Sequence, residues 1–522
     1  MIRITGIKMP ANSGIEDLKE KVLRLLNGES LISFRISKKS VDARKKTDVF
    51  LVYSVDVEVE NEDRLLKNTR LKNISRIEKK VYEFPKSDKR IGRPLIVGTG
   101  PAGLFAGLFL ARAGYKPLLI ERGGNVDERA EKVQRFWNES ILDEETNVQF
   151  GEGGAGTFSD GKLTTGIKDF RITKVLEEFV RFGANEEILY LSKPHIGTDI
   201  LKGVVAGRRE EIIRLGGEVR FNTRLEKINV EEEKVASVTV VLDGKEEQIE
   251  TDKVILAIGH SARDTFYMLK NIGVKMIPKP FSVGVRIEHP QSMIDKSQYG
   301  EFSRYLPAAD YKLSHHLENG RGVYTFCMCP GGFVVNASSE RNRIVTNGMS
   351  NFARNEANAN SAVLISVTPS DFGEDDPLSG TEFQRQIEER AFNLAGKDYR
   401  VPVQTVGAFL ENRIDENIGA VKPTIRPGYC FCKMTDIFPK FITDSLKEGL
   451  YAFDRKIPGF AASDAILTAP ETRSSSPVTV IRDEKHCTNI QGLYIAGEGG
   501  GHGGGIMSCA VDGIKTAELI LS

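Results

Sequence analysis

From Val49 to Glu60 apolar and polar positions alternate, with Val49, Leu51, Tyr53, Val55, Val57 and Val59 set against Ser54, Asp56, Glu58 and Glu60. That period of two predicts a strand with one wet face. Upstream, Ile15, Leu18, Val22 and Leu25 recur at helical spacing behind a capping box of Ser13 with Glu16, and Asn27 and Gly28 end the helix. Residues 1–90 therefore predict a small N-terminal α/β domain, followed by the polar linker KSDKRIGRP at 86–94. Strand and helix patterns then alternate to about residue 275. From Phe281 to about 480 short β-like runs such as GVYTFCMC, GFVVNAS and NRIVTNG replace them, and the last residues return to strand, glycine-rich loop and helix. The expected division is 1–90, 91–278, 279–480 and 481–522, with the second and fourth segments forming one domain and the third inserted into it. One stretch would mislead a hydropathy scan, since Pro94 to Ala111 carries no charge between Arg93 and Arg112. It holds GTGPAG, whose turn would leave backbone groups unpaired in lipid, so it is not read as a span.

Composition narrows the class further. The chain has 522 residues, 40% hydrophobic and 28% charged, with 50 glycines, which excludes disorder, collagen and coiled coil. Lys+Arg and Asp+Glu are both 72, so no net field draws the molecule to nucleic acid or anionic lipid. Up to Arg90, however, there are 21 basic and 14 acidic residues, the basic ones concentrated in SKKSVDARKK at 37–46. That stretch reads as a solvated loop or as a phosphate or RNA contact. Six cysteines without a basic-apolar leader in MIRITGIKMPANSG lead us to expect a reduced, cytoplasmic protein.

The chemistry begins at PLIVGTGPAGLFAGLFLARAGYKPLLIERG, residues 94–123. Gly98, Gly100, Pro101, Ala102 and Gly103 lie between the apolar strand Leu95 to Val97 and a helix. Gly98 permits the tight turn, Gly100 lets backbone approach a pyrophosphate, and Gly103 lets helix lie close to strand. Gly114 stops the helix, Pro117 to Ile120 forms a second parallel strand, and Glu121 ends it, placed to accept hydrogen bonds from a ribose. Phosphates would meet the free N–H groups and positive dipole end of the helix.

Which dinucleotide it binds is decided elsewhere. DKVILAIG predicts a strand from Asp252 to Ile258 closing on Gly259. Far downstream, residues 489–520 predict a strand from Gly492 to Ala496, then Gly497, Glu498, a glycine loop through Gly505 and a helix from about Ile506. A nicotinamide dinucleotide has no use for this late return. FAD is longer: it needs a carboxylate for its ribityl hydroxyls, which Glu498 can supply, and donors at the flavin carbonyl, which the last helix can supply.

GTGPAG with the Glu121–Arg122 pair, the DKVILAIG strand and the IAGEGGG loop together resemble the FAD-binding fold of glutathione-reductase-type flavoproteins. More specifically, FGEGGAGTFSDGKL (150–163), KPFSVGVRIEHP (279–290), CMCPGG (327–332) and ETRSSSPV (471–478) are similar to a family of bacterial FAD-dependent dehydrogenases whose substrate is not established. The resemblance implies a Rossmann-like three-layer α/β domain for FAD/NAD(P), an inserted mixed α+β substrate domain and the small N-terminal domain. It implies that Glu121 holds the adenosine ribose and that Arg129 approaches the pyrophosphate. It further implies that Gly153, Gly154 and Lys162 pass near the flavin, and that Arg224 and Leu225 lie by the adenine. The chain departs from the wider fold at Glu498, where Asp is commoner, and at Ile258, where Thr is usual.

On the substrate side no CxxC or CxxxxC follows the fingerprint, so the disulfide-reductase mechanism, in which a thiolate pair reduces through the flavin, lacks its residues, and that activity is not expected. The CMC and CFC pairs, Cys327 with Cys329 and Cys430 with Cys432, would form a four-thiolate site if they met. Buried core cysteines are the plainer reading, and no metal site is expected. His502 in the glycine loop is a candidate general acid or base, or a loop histidine bonded to backbone. Glu471 and Arg473 are candidates for the substrate face, where Arg would bind carboxylate or phosphate, or else for a surface or interdomain ion pair. Asp160 and Lys162 carry the same ambiguity. The expectation is an FAD-dependent oxidoreductase acting on a small molecule by hydride transfer at flavin N5. With a single fingerprint present, NAD(P)H would visit as a transient donor. The rival readings are a flavin-dependent tRNA-modifying enzyme and a non-catalytic flavin-binding regulatory protein.

Overall fold

The computed structural model describes residues 1–68, 73–78, 81–85 and 91–522. Most of the expected 86–94 linker lies outside the described residues.

At the N-terminus the alternating run folds as the strand Phe50–Val59, with Leu51, Tyr53, Val55, Val57 and Val59 buried. It pairs antiparallel with Leu31–Asp42 on one side and Ile2–Pro10 on the other, and Ile74–Arg76 completes the sheet. The helix Ile15–Leu25 covers it with Leu18 and Val22. Its start differs by one residue from the expected capping box: Gly14 is the N-cap, and its N–H donates to the Asp17 carboxylate at 2.7 Å. Asn27 and Gly28, both at positive φ, end the helix as expected. The basic stretch is not simply a loop. Residues up to Asp42 belong to the long strand, and Lys39 exchanges backbone hydrogen bonds with Tyr190 and Ser192 of the neighbouring domain.

The central domain is built on five parallel strands in the order Leu493–Ile495, Val254–Leu256, Leu95–Val97, Leu118–Ile120, Glu218–Arg220. The three central strands are short and apolar on both sides because each is covered twice. Ile96, Leu119 and Ile255 face a layer of helices that includes Pro101–Arg112, Arg171–Arg181, Thr198–Arg214 and Ile506–Leu521. The flanking residues Leu95, Val97, Val254 and Leu256 face a three-stranded antiparallel sheet, Thr223–Glu231, Lys234–Leu242 and Lys245–Glu250. This is a three-layer α/β arrangement whose last strand comes from the end of the chain.

Between the fourth and fifth chain segments of that sheet the polypeptide leaves and returns through one ribbon, where Met276–Pro278 pairs antiparallel with Val478–Val480. The excursion forms a seven-stranded sheet, led by Phe281–Pro290 paired along its whole length with Asn358–Val367. Helices Ser379–Leu394 and Lys440–Asp454 pack on it through Ile387, Phe392, Leu446, Leu450 and Phe453.

Candidate functional site

A cavity of about 640 Å³ runs from the fingerprint to the inserted sheet, a size suited to a large cofactor with room beside it. Its first wall is the turn after Leu95–Val97. Gly98 has φ +100°, and a Cβ there would stand 2.4 Å from the Ala257 carbonyl oxygen; one on Gly103 would stand 1.9 Å from the Gly98 oxygen. Only glycine permits that strand–helix contact. A Cβ on Gly100, the helix N-cap, would stand 3.8 Å from the Cα of Gly154, so bare backbone lines both lips of the opening. The first N–H groups of the helix have no intrahelical acceptor and point into this space, which suits a pyrophosphate.

Glu121 closes the next strand, and its carboxylate is anchored from several sides. One oxygen accepts from the Thr99 N–H and hydroxyl, each at 2.9 Å; the other accepts from the N–H groups of Gly123 at 3.1 Å and Gly151 at 3.0 Å. Arg122, stacked 4.5 Å from the Phe150 ring, pairs with Glu145 and Asp264. Arg224 also pairs with Glu145, at 2.7 Å, and Leu225 follows it along the wall.

The opposite wall comes from the chain's end. Gly497 (φ +76°) turns the chain after Leu493–Ile495, and its N–H donates to Asp512 at 2.7 Å. Gly504, Gly505 and Ile506 bring the N-terminus of the last helix to the cavity, and Glu498 stands beside them. A Cβ on Gly513 would lie 2.1 Å from the Ala102 carbonyl oxygen, so the two helices that aim their N-termini at the cavity touch backbone to backbone. The inserted domain supplies a further wall, including Thr325 to Met328, Asn347, Glu471 and Arg473.

Of the residues expected from sequence, Gly98, Gly100, Pro101, Ala102, Glu121, Arg122, Gly154, Lys162, Arg224, Leu225, Gly259, Glu471, Arg473, Glu498, Gly505 and Ile506 border this one cavity. Gly103, Gly153 and Gly497 stand behind it as packing and turn positions. Two placements differ from expectation. Arg129 does not reach the cavity: it is wholly buried and donates to the carbonyls of Asn147, Val148, Glu152 and Gly154, so it shapes the turn that forms one lip. His502 is solvent-exposed outside the cavity, its Nε2 2.9 Å from the Val480 carbonyl oxygen. The imidazole that does line the cavity is His260, whose Nε2 lies 3.1 Å from the Arg473 carbonyl oxygen and whose Nδ1 lies 3.6 Å from a Glu498 oxygen. Its position directly after Gly259 was the available signal.

Glu471 and Arg473 are both engaged. Glu471 accepts two hydrogen bonds, at 2.7 and 2.8 Å, from Arg286, which is fully buried. Arg473 donates to Glu388 and Ser339 in a buried cluster that also contains Arg263 and Glu340. Burial works to push the Glu388 carboxyl up, but Arg263 and Arg473 outweigh it and hold the group well below the usual carboxylate range. Asp160 is paired with Arg354, and Lys162 donates to the Met328 carbonyl. The two CxC pairs do not meet: among the described residues no group of three or more His, Cys, Asp or Glu is placed to hold a metal.

A family profile described as pyridine nucleotide-disulphide oxidoreductase matches residues 93–265, and one described as FAD-dependent protein, C-terminal domain-like, matches 280–474. A domain of unknown function matches 1–58. An uncharacterized protein of Clostridium beijerinckii is 49% identical over all of this chain and 98% of its own length. The chain belongs to that family of FAD-dependent oxidoreductases, and FAD is its cofactor. Solved structures align more distantly. E. coli quinol fumarate reductase FrdA is 13% identical over 82% of this chain and 70% of its own, with a TM-score of 0.36. L-proline dehydrogenase from P. horikoshii is 13% identical over 84% and 94%, with a TM-score of 0.35. Among the described residues no helix is long and apolar enough to cross a membrane.

Proposed function

We propose that this oxidoreductase transfers a hydride between a small molecule, held against the inserted sheet, and flavin N5, with NAD(P)H as a transient donor. The observation that supports it is the shared cavity: both helix N-termini, Glu121 and Glu498 border one end, and a polar wall from another domain borders the other. FAD, when bound, supplies the two-electron chemistry, and the chain's own residues bind, orient and exclude water.

On this reading Gly98 to Ala102, with Gly154, cradle the pyrophosphate, Glu121 and Arg224 hold the adenosine end, and Glu498 faces the ribityl chain. Glu471 and Arg473 are positioning groups, each fixed by a buried partner of opposite charge. His260 takes the acid–base role assigned from sequence to His502. A carbonyl can only accept, so the Nε2 next to the Arg473 oxygen carries the proton. Nδ1, on the Glu498 side, is then the atom open to take up or release a proton. Anaerobic mixing of purified holoenzyme with NADH or NADPH tests the proposal. Bleaching of the oxidised-flavin absorbance is expected with at least one donor, and slower bleaching in His260→Gln with FAD retained. A flavin that stays oxidised with both donors argues for the non-catalytic alternative.

A further inference from the structure

The strand Gly322–Cys329 ends in CMC, and its pairing with Asn358–Val367 is irregular: Phe326 stands opposite Ala362 but Cys329 opposite Asn360, leaving one extra residue between them. The bulge puts Cys327 at φ +43°, a left-handed conformation costly for a residue with a side chain. Bulges of this kind re-aim side chains, and here Phe326, Cys327 and Met328 all line the cavity that holds FAD. Cys329 is fully buried immediately behind, its thiol 3.3 Å from the Cys327 carbonyl oxygen.

The surroundings separate this pair from ordinary core cysteines. Arg286 donates to the Cys327 carbonyl at 3.1 Å, and Lys162 donates to the next carbonyl, that of Met328. The neighbouring Cys329 thiol, followed by the charges of Arg286 and Lys162, outweighs burial and draws the Cys327 thiol below its ordinary value, while Cys329 is raised. Cys509 in the last helix shows the contrast: burial pushes its thiol up to about 12.

We propose that Cys327 and Cys329 form a redox-active dithiol in the wall of the FAD cavity. The sequence lacks the thiol pair that disulfide reductases carry after the fingerprint, and the inserted domain brings one to the same cavity by another route. In the forward step the Cys327 thiolate and the Cys329 sulfur form an S–S bond and the Cys329 S–H bond breaks. The electron pair and that proton pass to oxidised FAD, which is reduced by two electrons; the reverse step regenerates thiolate and thiol. The inference requires FAD in the cavity and is independent of which small molecule the enzyme turns over.

The test uses the holoenzyme. One sample is reduced with dithiothreitol and freed of it without air, and another is equilibrated with oxidised dithiothreitol; both are alkylated with iodoacetamide and digested with trypsin. Cys327 and Cys329 fall on the 322–341 peptide, whereas Cys430 and Cys432, whose sulfurs lie 3.4 Å apart, fall on 414–433. In the oxidised sample the 322–341 peptide is expected unalkylated and lighter by two hydrogens. In a Cys430→Ser/Cys432→Ser background, anaerobic dithionite titration of the oxidised protein is expected to consume four electron equivalents per FAD, falling to two when Cys327→Ser is added. A 322–341 peptide that remains fully alkylatable after oxidation, or an end point of two equivalents with both thiols present, overturns the proposal. Bleaching in the same titration reports FAD binding separately, and peptide mapping of the wild-type protein stands even if the serine variants fail to fold.

Discussion

Both oxygens of Glu121 already accept hydrogen bonds from protein, from Thr99, Gly123 and Gly151, so this carboxylate holds the fingerprint turn and the 147–154 turn together besides bordering the cavity. A glutamine has one acceptor oxygen and an amide that can only donate, so it would confront two of those buried donors with another donor. Glu121→Gln is expected to weaken FAD binding by about tenfold to a hundredfold, in line with about 1–3 kcal/mol for groups left unsatisfied in the interior. Ultrafiltration of free flavin from the purified variant measures this; wild-type retention would show that the turns do not depend on the charge.

Among elements, the contact of the last helix with the fingerprint helix brings both helix N-termini to one cavity. Gly513 lies against backbone, not a flexible side chain, so an added methyl cannot be accommodated by a rotamer change. Gly513→Ala is expected to separate the two helices and cost about 1–3 kcal/mol. The protein should then purify with a lower flavin-to-protein absorbance ratio while its far-UV circular dichroism stays unchanged. The strand Leu493–Ile495 explains why this contact forms at all. Paired to Val254–Leu256, it ends at the cavity, along which the glycine loop and the last helix begin.

At the scale of the whole molecule, the inserted domain is fastened to the central domain by more than its ribbon. Arg263, on the helix Arg263–Asn271, reaches Glu388 on the inserted domain's helix Ser379–Leu394, and Arg473 shares the same carboxylate. Glu388→Ala leaves two buried guanidinium groups facing each other and is expected to destabilise the protein by about 3–5 kcal/mol, seen as a lowered midpoint in denaturant. Acid stability depends on another buried group. His289, 1% exposed with its Nε2 2.8 Å from the Phe460 carbonyl oxygen, is held down to about 4 by burial. It stays neutral in the fold while the unfolded chain takes up a proton below about 6.5. Its contribution is therefore full above that pH and is lost as pH falls toward about 4, up to about 3 kcal/mol in all. His289→Gln, which keeps a donor for the carbonyl but does not titrate, should flatten the decline of unfolding free energy across that window.

What the residues determined by themselves was local. The fingerprint, its helix, the acidic strand end and the final strand–loop–helix were legible because turn sterics and strand or helix period act over a few neighbours, and glycine at Gly98 or Gly103 admits few other readings. FAD itself followed from the late return, a relation of order along the chain. What the tertiary structure decided was which side chains share a space. His502 and His260 both follow a glycine beside the site, yet only His260 faces it. Arg129 spends its donors on backbone carbonyls, and the basic stretch is half strand. Cys327 reaches the cavity because of a bulge set by pairing with a strand more than thirty residues away. Each outcome depends on burial and partners supplied by distant segments, and side-chain direction in folded protein is settled by those partners, which residue spacing does not encode.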